Sequence, residues 1–432
     1  MESGIAEIEG KEIPLKKEIK YSSRNLNIFC WDKSVIKLNS KKIKDKPFPS
    51  SQNKGIIKEY IIANYLLDKC RYESLSNNEI GPRVLIIGPR KSGGIQFSHV
   101  ILNYALKLGY TPLFCDLDLE NEITVPGSIG TTIVDHLVPN DLLFDNSISY
   151  FFGDIYNKNE ENMNWSLYEM QLSELGNACY EKLEFDLQNW KKMMNIENKD
   201  NLNNYILSPK PTLFASGMVV RCPIIDNGEH AENIYKIIIS KYKITHIYVI
   251  EDEKLKNSFN IIIKNMKNIN LDLISRLVTV TEINEETKRQ QSISKYFKGP
   301  FNNFGFKQIK LDLNEYKLIK IIPSEISSSM VPLGLKADLK MIFRKYTIKD
   351  EEELVKKLVC FVYLEEKDIQ ELDKGFETNP NHFLEKFAKA TVSYFGFITS
   401  IDKENNKITI FCPNDELLHK YILVGNIKYE NN

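Results

Sequence analysis

The chain has 432 residues, 42% of them apolar, and a formal net charge of −1; that length suits two or three domains, and the neutral balance excludes a global basic field, so any RNA contact needs a local patch. The seven cysteines (Cys30, Cys70, Cys115, Cys179, Cys222, Cys360, Cys412) are scattered and never form a C-x-x-C pair, which argues against a disulfide framework or zinc site and for a reducing compartment. The acidic, polar start does not read as a signal peptide and no apolar run approaches the roughly 20 residues that span a bilayer, so a soluble, intracellular chain without a membrane partner is expected.

The first forty or so residues read as short strands, "NLNIFCW" and "SVIKL", separated by polar turns such as "YSSRN" and "DKS". A Lys-, Ser- and Pro-rich linker, "NSKKIKDKPFPSSQNKG", leads into "IIKEYIIANYLLDKC", whose apolar residues recur at helical spacing. From Gly81 short apolar runs alternate with longer periodic ones: "RVLIIG", "IQFSHVILNYALKLG", "TPLFCDLD", "TLFASGMVV", "THIYVIED" and "RLVTVTE". That pattern is what a parallel sheet covered on both faces requires. In its first helix Phe97, Ile101, Tyr104, Ala105 and Leu108 share one stripe, and Gly109 is placed to stop it. A long helix is expected from Ser166, with Glu169 completing a capping box and Leu172, Leu175, Cys179, Leu183 and Trp190 facing the sheet. The flanking "NKNEENMN" and "NIENKDNLNN" are too polar to bury anything and read as surface loops. After Gly299 strands return, in "KQIKLDL", "YKLIKII", "KATVSYFGFITSID" and "NKITIFCP", the last two joined by the turn "KENN". The expected fold class is α/β in three domains. These are a small N-terminal β-domain with its linker helix over 1–76, a central doubly wound parallel sheet of the P-loop NTPase kind over 77–305, and a C-terminal mixed α/β domain over 306–432.

The stretch "GPRKSGGI" lies between the first core strand and its helix. A working phosphate loop reads G-x-x-x-x-G-K-[ST]: backbone N–H groups cradle phosphates, the lysine reaches the terminal ones and the hydroxyl ligates Mg²⁺. Gly88 and Gly93 keep that spacing, but Gly94 fills the lysine position and Ile95 the hydroxyl position. Losing one preorganised donor of this type costs about 10²–10³ in rate, so transfer chemistry is expected to be very weak or nil. Anion binding is separate, because N–H groups at a helix N-terminus attract phosphate without a lysine; the residues that would do so are Gly88, Pro89, Arg90, Lys91, Ser92, Gly93, Gly94, Ile95 and Gln96. Lys91 or Arg90 could fold back over a phosphate, and the plain alternative is a strand-to-helix turn with two solvated cations. Asp116 and Asp118 in "FCDLDLE" close the second strand, where carboxylates commonly hold a metal or orient a nucleophile; a strand end or helix cap is the plainer reading.

The order of "GPRVLIIGP", "LNYALKLGY", the "LD" strand end, "TVPGSIG", "ASGMVV", "SKYFKG", "VPLGL" and "GFITSIDKENNKITIFCP" resembles the polyribonucleotide 5′-hydroxyl kinase family that includes the kinase-like subunit of pre-mRNA cleavage complex II. The resemblance implies ATP as phosphate donor, a 5′-hydroxyl RNA end as acceptor and Mg²⁺ as cofactor, and leaves Arg289, with Lys288 and Lys295 nearby, as a remnant of the arginine clamp on a lid helix; Asp118, at its strand end after the loop, is the candidate catalytic carboxylate, and a metal ligand only where Mg²⁺ is bound. It also implies a nuclear location and a cleavage-factor scaffold protein as partner. Ile225 falls at the family's base-stacking position, and an isoleucine offers no π-face there. Pro126 and Gly127 match a "PG" loop on the acceptor side, which is also a common turn. The chain is expected to begin partway into the family's N-terminal domain, without the segment that contacts adenine. The leading expectation is therefore a catalytically inactive RNA-kinase-like subunit of the nuclear pre-mRNA 3′-end cleavage and polyadenylation complex, acting as a docking body. Its rivals are an active RNA 5′-kinase, serving RNA processing such as tRNA splicing with Lys91 in place of the missing lysine, and a module that keeps nucleotide as a structural ligand.

Overall fold

The structure, a computed structural model, describes residues 1–20, 27–38, 54–120, 123–138, 147–155, 163–200, 212–225, 228–266, 268–277, 284–299, 305, 307–321, 343–346, 354–375, 380–413 and 419–430. Three short strands, β1 (Ala6–Ile8), β2 (Lys11–Glu12) and β3 (Ile28–Cys30), form an antiparallel sheet in the order β2-β1-β3. β3 lies within "NLNIFCW", whereas "SVIKL" contributes a single bridge from Val35 to Ser3. β1 and β2 were not expected, because two or three residues with acids among them leave no periodic signal. "YSSRN" falls outside the described residues.

Helix α1 (Lys54–Asn77) contains the predicted stretch, starts two residues inside the expected linker and runs on past Cys70 to Asn77, burying Tyr60, Ala63 and Leu67. Strand β4 (Arg83–Gly88) then leads to α2 (Gly94–Lys107) and β5 (Leu113–Asp116), followed by β6 (Ser128–Ile133) and β7 (Ile148–Phe151). Next come α3 (Trp165–Asp200), α4 (Leu213–Ser216), β8 (Met218–Pro223), α5 (Gly228–Lys241), β9 (His246–Ile250), α6 (Glu253–Ile263), β10 (Asn270–Ile274) and α7 (Glu285–Lys298). The order β10-β9-β4-β8-β5 is parallel throughout, and β6 and β7 extend it antiparallel. Alternate side chains point to opposite faces of a strand. Val84 and Ile86 of β4 accordingly join α1 and α2, while Leu85 and Ile87 join α3 and α5 on the other face. The sheet is thus doubly wound.

Several local expectations need correcting. Leu108 is 57% exposed at the C-cap of α2, so the stripe ends at Ala105; Gly109, at φ +86°, stops the helix. α3 begins at Trp165, one residue before the expected start, and Glu169 accepts from Asn233 Nδ2 at 2.7 Å, so the capping box is not what anchors it. Its expected face is buried, with Trp190 donating to Asn78 Oδ1 at 2.8 Å. α3 also runs on to Asp200, into the expected asparagine-rich loop, and 201–211 fall outside the described residues. "TLFASGMVV" splits into the short α4 and then β8, because Gly217 at φ +72° turns the chain between them. The last parallel strand is β10 rather than "RLVTVTE", most of which lies outside the described residues.

The C-terminal part adds β11 (Lys307–Asp312), β12 (Lys317–Ile321), β13 (Phe343–Lys345), β14 (Lys357–Tyr363), α8 (Glu366–Gly375), α9 (Pro380–Lys389), β15 (Thr391–Asp402), β16 (Lys407–Cys412) and β17 (Tyr421–Lys428). β15 pairs with β7 through Thr391 and Tyr150, so among the described residues the central and C-terminal sheets are one sheet of 14 strands. β14, β17, α8 and α9 were not anticipated, and "VPLGL" lies outside the described residues.

Candidate functional site

The loop after β4 sits where Gly88 is in register with Pro223 of β8. Gly93 adopts φ 94°, ψ 16°, and a Cβ there would come within 2.9 Å of Leu277 Cβ, so only glycine suits both the turn and the space. No side chain caps α2, whose first-turn N–H groups have no intrahelical acceptor. The phosphate cradle is therefore present as backbone. Ser92 is buried and its backbone N–H donates to Pro89 O at 3.1 Å. Ile95, at the hydroxyl position, is half-buried and packs against the α1–α2 core. Pro89, Gly94 and Gln96 are half-buried around it. The two loop cations turn to the start of α7: Lys91 Nζ and Arg90 Nη1 lie 3.7 and 3.8 Å from the carboxylate of Glu285. Lys91 is thus directed to a protein acid, in a left-handed backbone conformation at φ 62°.

At the neighbouring strand ends Asp116 and Asp118 are buried, and both are held by Arg221 of β8. Nε and Nη2 donate to the two oxygens of Asp116 at 2.9 Å each, and Nη1 donates to Asp118 Oδ2 at 3.1 Å. The backbone N–H of Asp118 donates to Asp116 Oδ1 at 3.2 Å, and that of Glu120 to Asp118 Oδ1 at 3.1 Å. All four carboxylate oxygens thus accept hydrogen bonds from the protein. Mg²⁺ demands a near-octahedral set of oxygens and keeps several waters, whereas this pair faces a fixed guanidinium and the hydroxyl position holds a hydrocarbon. Among the described residues no three His, Cys, Asp or Glu side chains group to hold a metal ion. Mg²⁺ does not fit the residues present.

Arg289 of α7 is also taken up by protein carboxylates. Its Nη2 donates to Glu120 Oε1 at 2.7 Å, Nε lies 3.2 Å from the same oxygen, and Nη1 meets Glu286. Burial pulls its pKa down, but Glu120, Glu286 and Glu285 outweigh it and the net shift is upward. Lys288 and Lys295 lie on the same helix, exposed and half-buried respectively. Ile225 is 4% exposed and its N–H donates to Tyr235 Oη at 3.0 Å, so that position is closed to a base as well as lacking a ring. Pro126 is buried and Gly127, at φ +86°, donates to Leu119 O at 2.7 Å. A Cβ on Gly127 would meet Ile427 Cδ1 at 2.3 Å. The Pro-Gly turn therefore locks the central sheet to β17. The residues missed by the sequence reading are Arg221, Glu120 and Glu285. Only Arg221 left a signal, a cation inside the apolar run "MVVRCP" that had to find a buried partner.

Three family models match the chain in order: "N-terminal beta-sandwich domain of polyadenylation factor" over residues 1–74, "mRNA cleavage and polyadenylation factor CLP1 P-loop" over 88–198, and "Pre-mRNA cleavage complex II protein Clp1" over 307–431. The chain belongs to the Clp1 family. Similar curated proteins include the Protein CLP1 homologs of Anopheles gambiae and Drosophila mojavensis. The first is 21% identical over 98% of this chain and 89% of its own length, the second 24% identical over 78% and 73%. Two solved Clp1p–Pcf11p structures share the fold with TM-score 0.71 at 20% identity, covering 99% of this chain and 92% of theirs. One of them is described by its extended Pcf11p–Clp1p interface and by ATP loss in a point mutant. This chain keeps the backbone of the loop and places Arg90, Lys91, Arg221 and Arg289 against its own carboxylates.

Proposed function

We propose that this Clp1-family chain is a catalytically inactive subunit of the nuclear pre-mRNA 3′-end cleavage machinery that serves as a docking body for a cleavage-factor scaffold protein of the Pcf11p kind. One observation carries the loss of catalysis: Arg90, Lys91, Arg221 and Arg289 are all engaged by protein carboxylates, while the lysine and hydroxyl positions are Gly94 and Ile95. Phosphoryl transfer is catalysed almost entirely by positioning and by fixed positive charge, and here Arg221 and Arg289 are held by hydrogen-bonded carboxylates while Arg90 and Lys91 face Glu285. The partner is supported by the likeness to Clp1p as it stands in complex with Pcf11p. The test is size-exclusion chromatography of the purified chain with the Pcf11p-type protein of its own organism. A stable complex is expected, unchanged by Gly94→Lys; no complex at micromolar concentration would overturn the docking role.

A second reading is favoured by the uncapped N-terminus of α2: nucleotide kept as a structural ligand, stabilising the central sheet by mass action. It is checked by thermal melting with ATP in EDTA, where an upward shift is expected if the cradle holds phosphate. The active-kinase reading requires Lys91 to leave Glu285, and no observation favours it.

A further inference from the structure

Arg221 occupies a defined place in the sheet. It is in register with Ile86 of β4 and Asp116 of β5. Val219 and Phe114, two residues earlier on their strands, pack with α1 and α2. By strand alternation Arg221 and Asp116 fall on that same face, at the end where α2 begins. The guanidinium is therefore aimed at the carboxylates at the loop side of the sheet, with both oxygens of Asp116 and one of Asp118 bound. A planar fork against a carboxylate is the strongest geometry that pair can adopt, and arginine stays charged at every accessible pH.

We infer that Arg221 is a built-in cation standing where a divalent metal would be held, so that Asp116 and Asp118 bind neither Mg²⁺ nor Mn²⁺. A divalent ion would have to displace three N–H···O bonds and sit beside a fixed positive charge, with Ile95 giving it no oxygen. The inference goes beyond the docking role and does not rest on it. A chain that failed to bind a scaffold protein could still carry this clamp, and one that bound it could still lack it.

The experiment is Mn²⁺ binding followed by electron paramagnetic resonance on the full chain, with the metal alone. Wild type and Asp118→Asn are expected to bind Mn²⁺ equally. Arg221→Gln is expected to gain one Mn²⁺ per chain that wild type does not bind, and Arg221→Gln/Asp118→Asn to lose it again. A wild-type Mn²⁺ site that disappears in Asp118→Asn would overturn the inference, as would a folded Arg221→Gln that gains none. Should Arg221→Gln lose its circular dichroism, the comparison of wild type with Asp118→Asn decides alone: equal binding upholds the clamp and lost binding rejects it.

Discussion

Arg221→Met keeps most of the side chain's length and removes its charge. It strands Asp116, with 0% of its side chain exposed, beside Asp118 at 11%, where Arg221 itself is 16% exposed. Removing one partner of a buried ion pair costs about 3–5 kcal/mol, because the remaining charge has lost its counter-ion. Two carboxylates are stranded here, but the site lies towards the C-terminal ends of β5 and β8, where Arg221 and Asp118 are partly open to water. The two effects oppose each other and leave an expected loss near 3 kcal/mol. Arg221→Met/Asp116→Asn/Asp118→Asn, which carries no charge at all, is expected to recover at least half of that loss. Urea unfolding at pH 7.5, followed by tryptophan fluorescence of the α3 residues Trp165 and Trp190, reads the central sheet directly. A single variant that loses less than about 1 kcal/mol, the worth of an exposed pair, would refute the clamp as a structural counter-ion. So would a triple variant no better than the single.

Gly94→Lys is expected to tighten ATP binding in EDTA by about tenfold or more, since a hydrogen bond to a charged group contributes about 1.5–3 kcal/mol. The nearest atom to a Cβ there is Ile250 Cδ1 at 3.6 Å, so the side chain has room; calorimetry showing no change would contradict this. His246 is held below its ordinary pKa of 6.5 by burial first and then by Arg83 and Arg71, with Asp272 opposing. The unfolded chain then binds the proton that the folded one resists, so this contribution is full above about pH 6.5 and falls as the pH drops below it. His246→Asn should flatten the decline in stability between pH 7 and 5 relative to wild type, as measured by urea unfolding at each pH; identical slopes would count against it. Burial pushes the thiols of Cys115, Cys222 and Cys360 upward, whereas Cys30 is exposed. A thiol reagent should therefore modify Cys30 first and leave those three untouched until the chain unfolds, which mass spectrometry after timed labelling can resolve.

Where apolar runs were long and set off by polar or glycine residues, the sequence was readable. β4, α2, β5 and β9 all fall within runs picked out by periodicity, and the three-part α/β order followed from them. The N-terminal strands escaped because two or three residues cannot show a period, whereas β14 ("KLVCFVY") and β17 ("YILVGNIK") carry apolar runs whose local pattern is plain and were not picked out. The fusion of the two sheets rests on Tyr150 meeting Thr391, a pairing that no local pattern announces. At the site, the missing lysine and hydroxyl were legible as Gly94 and Ile95. The internal pairing was not, since Arg221 lies 105 positions from Asp116, and Arg289 lies 169 from Glu120. An arginine within an apolar strand signals that a buried acid must exist, but only the folded sheet says which one.

The most direct measurement is transfer of labelled phosphate from ATP to an RNA oligonucleotide bearing a free 5′-hydroxyl, with the full chain in Mg²⁺ and in Mn²⁺. The internally paired site predicts no transfer above the protein-free background in either metal. Turnover in Mg²⁺ that vanishes in Asp118→Asn would contradict it.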